Sequence, residues 1–142
     1  MTYGYARNAS AIYQQNSVQG VVENADPHQL VSMLLNGAID RIIQARGYMV
    51  HHNVAAKGTS IARAVAILGE LRNSLDHKAD RTLSQQLDSL YDYVAGRLLF
   101  AQLNDDQAAL DEAIRLLTPI RDGWQAIRGS YMQGARMASA AR

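Results

Sequence analysis

Apolar residues recur at three- and four-residue intervals along four long stretches of this chain, and only two prolines, Pro27 and Pro119, interrupt it. A period near 3.6 residues gathers one stripe of side chains on one side of an α-helix, and none of the stretches alternates as a half-buried strand does. The pattern restricts the fold to the all-α class. Each stripe must then find another helix to cover it.

The clearest helix start is "NADPHQL". Asp26 is placed to accept from the free amides of a first turn, and Pro27 at the first helical position lacks only an N–H that would have had no partner. From there Val31, Leu35, Ala38, Ile42, Ala45 and Met49 share one side to about residue 52. In "TSIARAVAILGELRNSLD", Thr59 or Ser60 is the expected N-cap, and Ile61, Val65, Leu68, Leu71 and Leu75 form the stripe. Arg72 falls on the same side, which predicts a buried stem and a hydrated head. A third helix follows the polar break "DHKAD". The loop "QLNDDQ" offers Asn104, Asp105 or Asp106 as cap for a fourth, with Leu110, Ile114, Leu117 and Trp124 repeating and Pro119 expected to bend or locally break it.

Connections of roughly 4–8 residues favour antiparallel neighbours, so the prediction is an antiparallel up-and-down four-helix bundle. With 142 residues the chain is one domain. Residues 1–128 form it, residues 1–26 being an N-terminal arm or short helix with Ile12, Tyr13, Val18, Val21 and Val22 diluted by Gly20 and polar residues. Residues 129–142, rich in Ala, Gly and Ser, read as a frayed, flexible tail.

Composition removes most chemistries. Fourteen Lys+Arg against 13 Asp+Glu give a formal charge of +1, too little for a domain built to neutralise phosphates, so nucleic acid is not an expected partner. Without cysteine there is no disulfide, thiolate metal site or Cys nucleophile. The start "MTYGYARNAS" lacks the apolar stretch of a signal peptide, and no apolar run approaches the roughly 18 residues of a membrane span, so a cytoplasmic location without membrane insertion is expected. A di-iron site in a bundle needs about four inward carboxylates, two in Glu-x-x-His pairs, whereas this chain has only Glu23, Glu70 and Glu112 and no such pair. His51 and His52 point in different directions on a helix end, His28 and His77 are isolated, and phosphate-binding glycine loops and nucleophile elbows are missing. Asp105, Asp106, Asp111 and Glu112 read as caps and dipole partners at a helix start. No metal, cofactor or catalytic residue is assigned, and the chain is read as a non-enzyme.

What composition leaves unexplained is the third helix, "LDSLYDYVAGRLLFAQL". Leu87, Leu90, Val94, Leu98 and Ala101 seat it on a core. Tyr93 and Phe100 lie on one flank, roughly 100–120° from that stripe, and Leu99 and Leu103 lie toward the opposite side, where a surface helix should be polar. Either the neighbouring helices cover this surplus, or it belongs to a groove that receives an apolar helix from a partner.

The order "SLD" (Ser74–Asp76), then Leu87, Leu90, Tyr91, Tyr93, Arg97 and Leu98, then an apolar helix closing on Trp124, resembles the flagellar secretion chaperones. Tyr13, the start at Pro27, "MLLNGAI" from Met33 and "KGTSIARAVAIL" from Lys57 extend the likeness over about residues 10 to 128. Three positions depart from it: Ala79 and Asp80 stand in place of a frequent Gly-Gly pair, Asn36 where an aromatic is common, and Gln102 where Asn is frequent.

The resemblance implies a cytoplasmic export chaperone that shields the apolar C-terminal segment of flagellin without consuming energy, with components of the flagellar export apparatus as further partners. The positions expected to serve the client are Tyr13, Val18, Leu34, Ile42, Leu68, Leu71, Leu87, Tyr91, Tyr93 and Leu98. The competing expectation is a structural bundle that self-associates through the same surface. An empty groove leaves an apolar patch in water, so the arm is the expected cover when no client is present.

Overall fold

A computed structural model describes residues 26–140 as five helices: α1 (Pro27–Val50), α2 (Val54–Asn73), α3 (Arg81–Asn104), α4 (Gln107–Ala126) and α5 (Arg128–Ala140). The described residues include no strand. The expected arm, with Tyr13 and Val18, lies outside them.

The four bundle helices start on caps that the sequence supplies. Asp26 accepts from Gln29 N–H at 2.7 Å, Asn53 from Ala56 N–H at 3.2 Å, Asp80 from Leu83 N–H at 3.0 Å and Asp106 from Ala109 N–H at 3.3 Å. The expected cap of α2 at Thr59 or Ser60 gives way to Asn53, because the Thr59 hydroxyl is spent on the Ala55 carbonyl inside the helix and Ser60 is buried. Pro119 does not divide α4. It is exposed, and so is Arg115, whose carbonyl loses its partner to the proline, so water can serve that oxygen.

The connections 51–53, 74–80 and 105–106 send each helix back along the one before it. The main contacts run α1 to α2, α2 to α3, α3 to α4 and α4 to α1, which closes the ring of an antiparallel four-helix bundle. Leu35, Ile42, Ile61, Leu68, Val94, Leu98, Leu110 and Leu117 have no accessible surface at its centre. The α3 stripe points there as expected: Val94, Leu98 and Ala101 are fully buried, and Leu87 and Leu90 pack partly against them.

Ion pairs mark the seams. Arg72 of α2 binds Asp88 at 2.8 Å and Asp92 at 3.2 Å on α3, Arg97 of α3 binds Glu112 of α4 at 2.7 Å, and Arg46 of α1 binds Asp111 of α4 at 2.7 Å. All are substantially solvated, so they set register more than stability. The acidic cluster is thereby accounted for: Asp106 caps α4, Asp111 and Glu112 pair across seams, and Asp105 ends α3. After Ile127, where a frayed tail was expected, the chain forms α5, attached to the end of α4 and to the start of α1 through Arg128.

Candidate partner-binding groove

Where α1 begins, α2 ends, α3 begins and α4 ends, the helices leave a cavity of about 270 Å³. Val31 and Leu35 come from α1, Leu75 and Ala79 from the 74–80 connection, Leu83, Leu87 and Tyr91 from α3, and Ile120 and Trp124 from α4, with Asp76 and Asp80 at its edge. The connection is held back from filling it. The Asp76 carboxylate accepts from Lys78 N–H and Ala79 N–H, and the Ser84 hydroxyl donates to the Asp76 carbonyl at 2.9 Å, pinning the loop to α3. The positions where the sequence departs from the family's Gly-Gly pair, Ala79 and Asp80, thus stand in the groove wall and in the α3 cap.

Tyr91 forms the floor. It is 3% exposed, and burial pushes its phenol up to about 12, so it stays neutral at any physiological pH. Trp124 is held from behind: its ring stacks on buried His28 at 4.6 Å and its indole N–H donates to the His28 carbonyl at 2.9 Å.

A second apolar surface lies on the outer side of α3. Leu99 is half exposed and Leu103 is 84% exposed, and the described residues do not cover them. Tyr93 and Phe100 are exposed but tied to the α3–α4 seam. The Tyr93 hydroxyl donates to Glu112 at 3.0 Å, which raises its proton affinity, and the Arg97 guanidinium lies over the Phe100 ring at 4.8 Å. Arg97 and Tyr93 together hold the Glu112 carboxyl below its ordinary range. The surplus of α3 thus divides: one flank leans on α4, and the described residues leave the other uncovered.

The expected client positions separate into three sets. Leu34, Ile42, Leu68, Leu71, Tyr91 and Leu98 are core, Tyr91 reaching the groove from below. Leu87 is half-buried in the groove wall and Tyr93 stands exposed. Tyr13 and Val18 lie outside the described residues. Of the groove lining, the expected client positions include only Leu87 and Tyr91; Val31, Leu35, Leu75 and Trp124 were read as core stripe, and Leu83 and Ile120 were passed over. Leu83, four residues before Leu87, carried the signal: an apolar side chain ahead of the stripe in an otherwise polar first turn.

Among the described residues no group of three or more His, Asp and Glu is arranged to hold a metal, and no helix is long and apolar enough to cross a membrane. An apolar groove beside an exposed helix face has the form that helix-in-groove binding uses. The sequence agrees. The family model described as "Flagellar protein FliS" matches residues 8–131. The flagellar secretion chaperone FliSB of Pseudomonas aeruginosa is 39% identical over 123 residues, covering 87% of this chain and 98% of that protein. The flagellar secretion chaperones FliS of Salmonella typhimurium and Escherichia coli are each 36% identical, over 87% and 85% of this chain and 92% and 90% of their own lengths. The chain belongs to the FliS family of flagellar secretion chaperones.

Proposed function

We propose that this protein is a cytoplasmic, non-catalytic export chaperone that binds the C-terminal helical segment of flagellin, prevents its premature polymerisation and keeps it competent for flagellar type III secretion. The observation that carries this reading is the apolar groove between α1, α3 and α4, left open by a loop that is bonded away from it. A disordered client loses several kcal/mol on ordering, and an apolar trough that takes alternate side chains of an amphipathic helix offsets that loss without an energy source. Leu87, Tyr93 and, at the groove floor, Tyr91 are the expected positions that can touch a client, whereas Leu34, Ile42, Leu68, Leu71 and Leu98 shape the surface from within. Components of the export apparatus are proposed to receive the loaded complex.

Titration calorimetry against a flagellin C-terminal peptide tests this reading. The expected result is a one-to-one complex with a negative heat-capacity change, the mark of apolar burial. Exposed Leu99 and Leu103 favour a second reading, a bundle that pairs with its own copy. Sedimentation that shows a stable dimer unaffected by the peptide would support it.

A further inference from the structure

Four side chains in the groove lining carry hydrogen-bond donors, and three of them are spent inside the protein. The Ser74 hydroxyl donates to the Leu71 carbonyl at 2.8 Å, the Ser84 hydroxyl to the Asp76 carbonyl at 2.9 Å, and the Trp124 indole N–H to the His28 carbonyl at 2.9 Å. The fourth is Tyr91. Its hydroxyl makes no hydrogen bond with any described residue, and burial is what raises its phenol to about 12, so it remains a donor at any physiological pH. Nor is the hydroxyl sealed in the core, because Glu70 Oε2 is the one dry side-chain N or O atom without a partner among the described residues. The little surface that Tyr91 retains, 3%, therefore includes its oxygen, and the cavity that Tyr91 lines is the groove.

Core packing gives no reason for that oxygen. A phenylalanine would fill the same floor without a polar atom, and a buried hydroxyl without a partner opposes folding. The acceptors of the lining are also incompletely used. Asp76 takes Lys78 N–H and Ala79 N–H on Oδ1, and Asp80 takes Leu83 N–H on Oδ1, while Oδ2 of each is without a partner among the described residues. An otherwise apolar trough thus offers one donor at its floor and two acceptors at its edge.

This inventory selects among the side chains that a client helix can lay into the groove, since the backbone carbonyls of such a helix are engaged within it. Leu or Met leaves the phenol O–H unpaired once water is displaced. Lys and Arg only donate, so they serve the edge and not the floor; Asp and Glu accept, but bring negative charge to two carboxylates. Ser and Thr can accept at the floor, but spend their one proton on their own helix. An Asn or Gln amide, with one carbonyl oxygen and two N–H groups, matches both floor and edge. We propose that the Tyr91 hydroxyl is a specificity-determining contact: it donates to the side-chain oxygen of an Asn or Gln set within the apolar stripe of the client helix, whose amide N–H groups turn to Asp76 and Asp80. The assignment rests on the reading that the groove takes a helical segment of the client. Apolar walls supply affinity, and the phenol fixes register, because a helix displaced along the groove brings an apolar side chain to Tyr91 and strands its hydroxyl.

Tyr91→Phe removes the hydroxyl and keeps the ring. In urea denaturation of the free chain its midpoint should equal or exceed that of the wild type, because no internal bond is lost; a clearly lower midpoint would reveal a structural partner and overturn the assignment. In titration calorimetry with a flagellin C-terminal peptide, Tyr91→Phe should raise Kd about tenfold, the factor that one lost hydrogen bond carries. Peptides in which each Asn and Gln is replaced in turn by Leu then locate the acceptor. One of them should bind the wild type about tenfold more weakly than the parent peptide does, yet bind Tyr91→Phe no more weakly than the parent does. An unchanged Kd in Tyr91→Phe, or peptide losses as large in Tyr91→Phe as in the wild type for every replacement, would overturn the Tyr91 contact and leave the groove reading standing. A parent peptide that fails to bind, or that binds Leu83→Arg as it binds the wild type, would overturn the groove reading and the contact with it.

Discussion

At the end of the bundle where α1 passes into α2 and α3 into α4, the connections are residues 51–53 and 105–106, and the pocket that Met49, Asn53 and Lys57 line there holds about 40 Å³. Lys57 closes that end from inside. Its side chain is buried and its ammonium reaches the Gln102 carbonyl at 3.2 Å and the Asp105 carboxylate at 2.5 Å, against the C-terminal turn of α3 where unpaired carbonyls favour a cation. Asp105 takes the left-handed conformation, φ 48°, that ends α3 and turns at once into the Asp106 cap. At the opposite end the 74–80 connection is longer, bonds to itself and to Ser84, and leaves about 270 Å³ between apolar walls. The same four helices thus make a sealed end and an open end. The difference lies in the connections and in one buried lysine, not in the core between them.

Predictions that bear on this contrast differ in size. The largest concerns the shared core. Leu98→Ala removes a fully buried side chain and should destabilise the fold by about 2–5 kcal/mol, whereas Leu87→Ala, beside existing space, should cost under about half of that. Equal losses in urea denaturation would mean that the groove is as tightly packed as the core.

At the sealed end, Lys57→Ala should cost about 1–3 kcal/mol through lost hydrogen bonds and stem packing, and Lys57→Met should recover part of it by keeping the stem. Recovery absent in thermal melts would show that the stem contributes nothing. At the open end, Ser84→Ala should cost only about 0.5–1.5 kcal/mol and raise amide exchange in residues 76–80, because it removes the bond that holds the loop.

The smallest effect is on acid stability at the open end. The folded Asp26 carboxyl lies at about 2, below its ordinary value of 3.8. A depressed carboxyl contributes stability that is fully present above the ordinary value and is lost as pH falls toward the folded one. Between about pH 4 and pH 2 the denaturation midpoint should therefore fall, and fall less steeply in Asp26→Asn. Asp88, lowered by Arg72, and Glu112, lowered by Arg97, add slopes of the same sign that this variant leaves in place.

The sequence made the core legible because burial is periodic: Val94, Leu98 and Ala101 could be placed inside from spacing alone. Caps with a carboxylate one residue ahead of a helix, Asp26 and Asp106, could also be read. The start of α2 was harder, since Thr59 and Ser60 cap as well in principle as Asn53, and the Asn53 bond to Ala56 N–H shows that the helix begins earlier. Lys57 itself carries no sequence signal, because a lysine is buried only when two distant elements supply its partners. Trp124 could be assigned to a stripe, but its contact with His28 joins residues far apart in the chain, and no local pattern encodes it. The surplus read on α3, Tyr93, Leu99, Phe100 and Leu103, lies outside the groove, whose walls come from four segments and whose loop is pinned by a bond that spacing does not encode, Ser84 to Asp76.

The central claim is that the open end receives the client, and paired charge insertions test it most directly. Leu83, 50% exposed in the groove wall, and Val54, 70% exposed at the sealed end, can each take arginine without disturbing the core. With a flagellin C-terminal peptide in titration calorimetry, Leu83→Arg should raise Kd by roughly 30-fold or more, the effect of losing an anchor of about 2 kcal/mol, while Val54→Arg should leave it within about threefold. A Kd unchanged in Leu83→Arg and raised in Val54→Arg would contradict it.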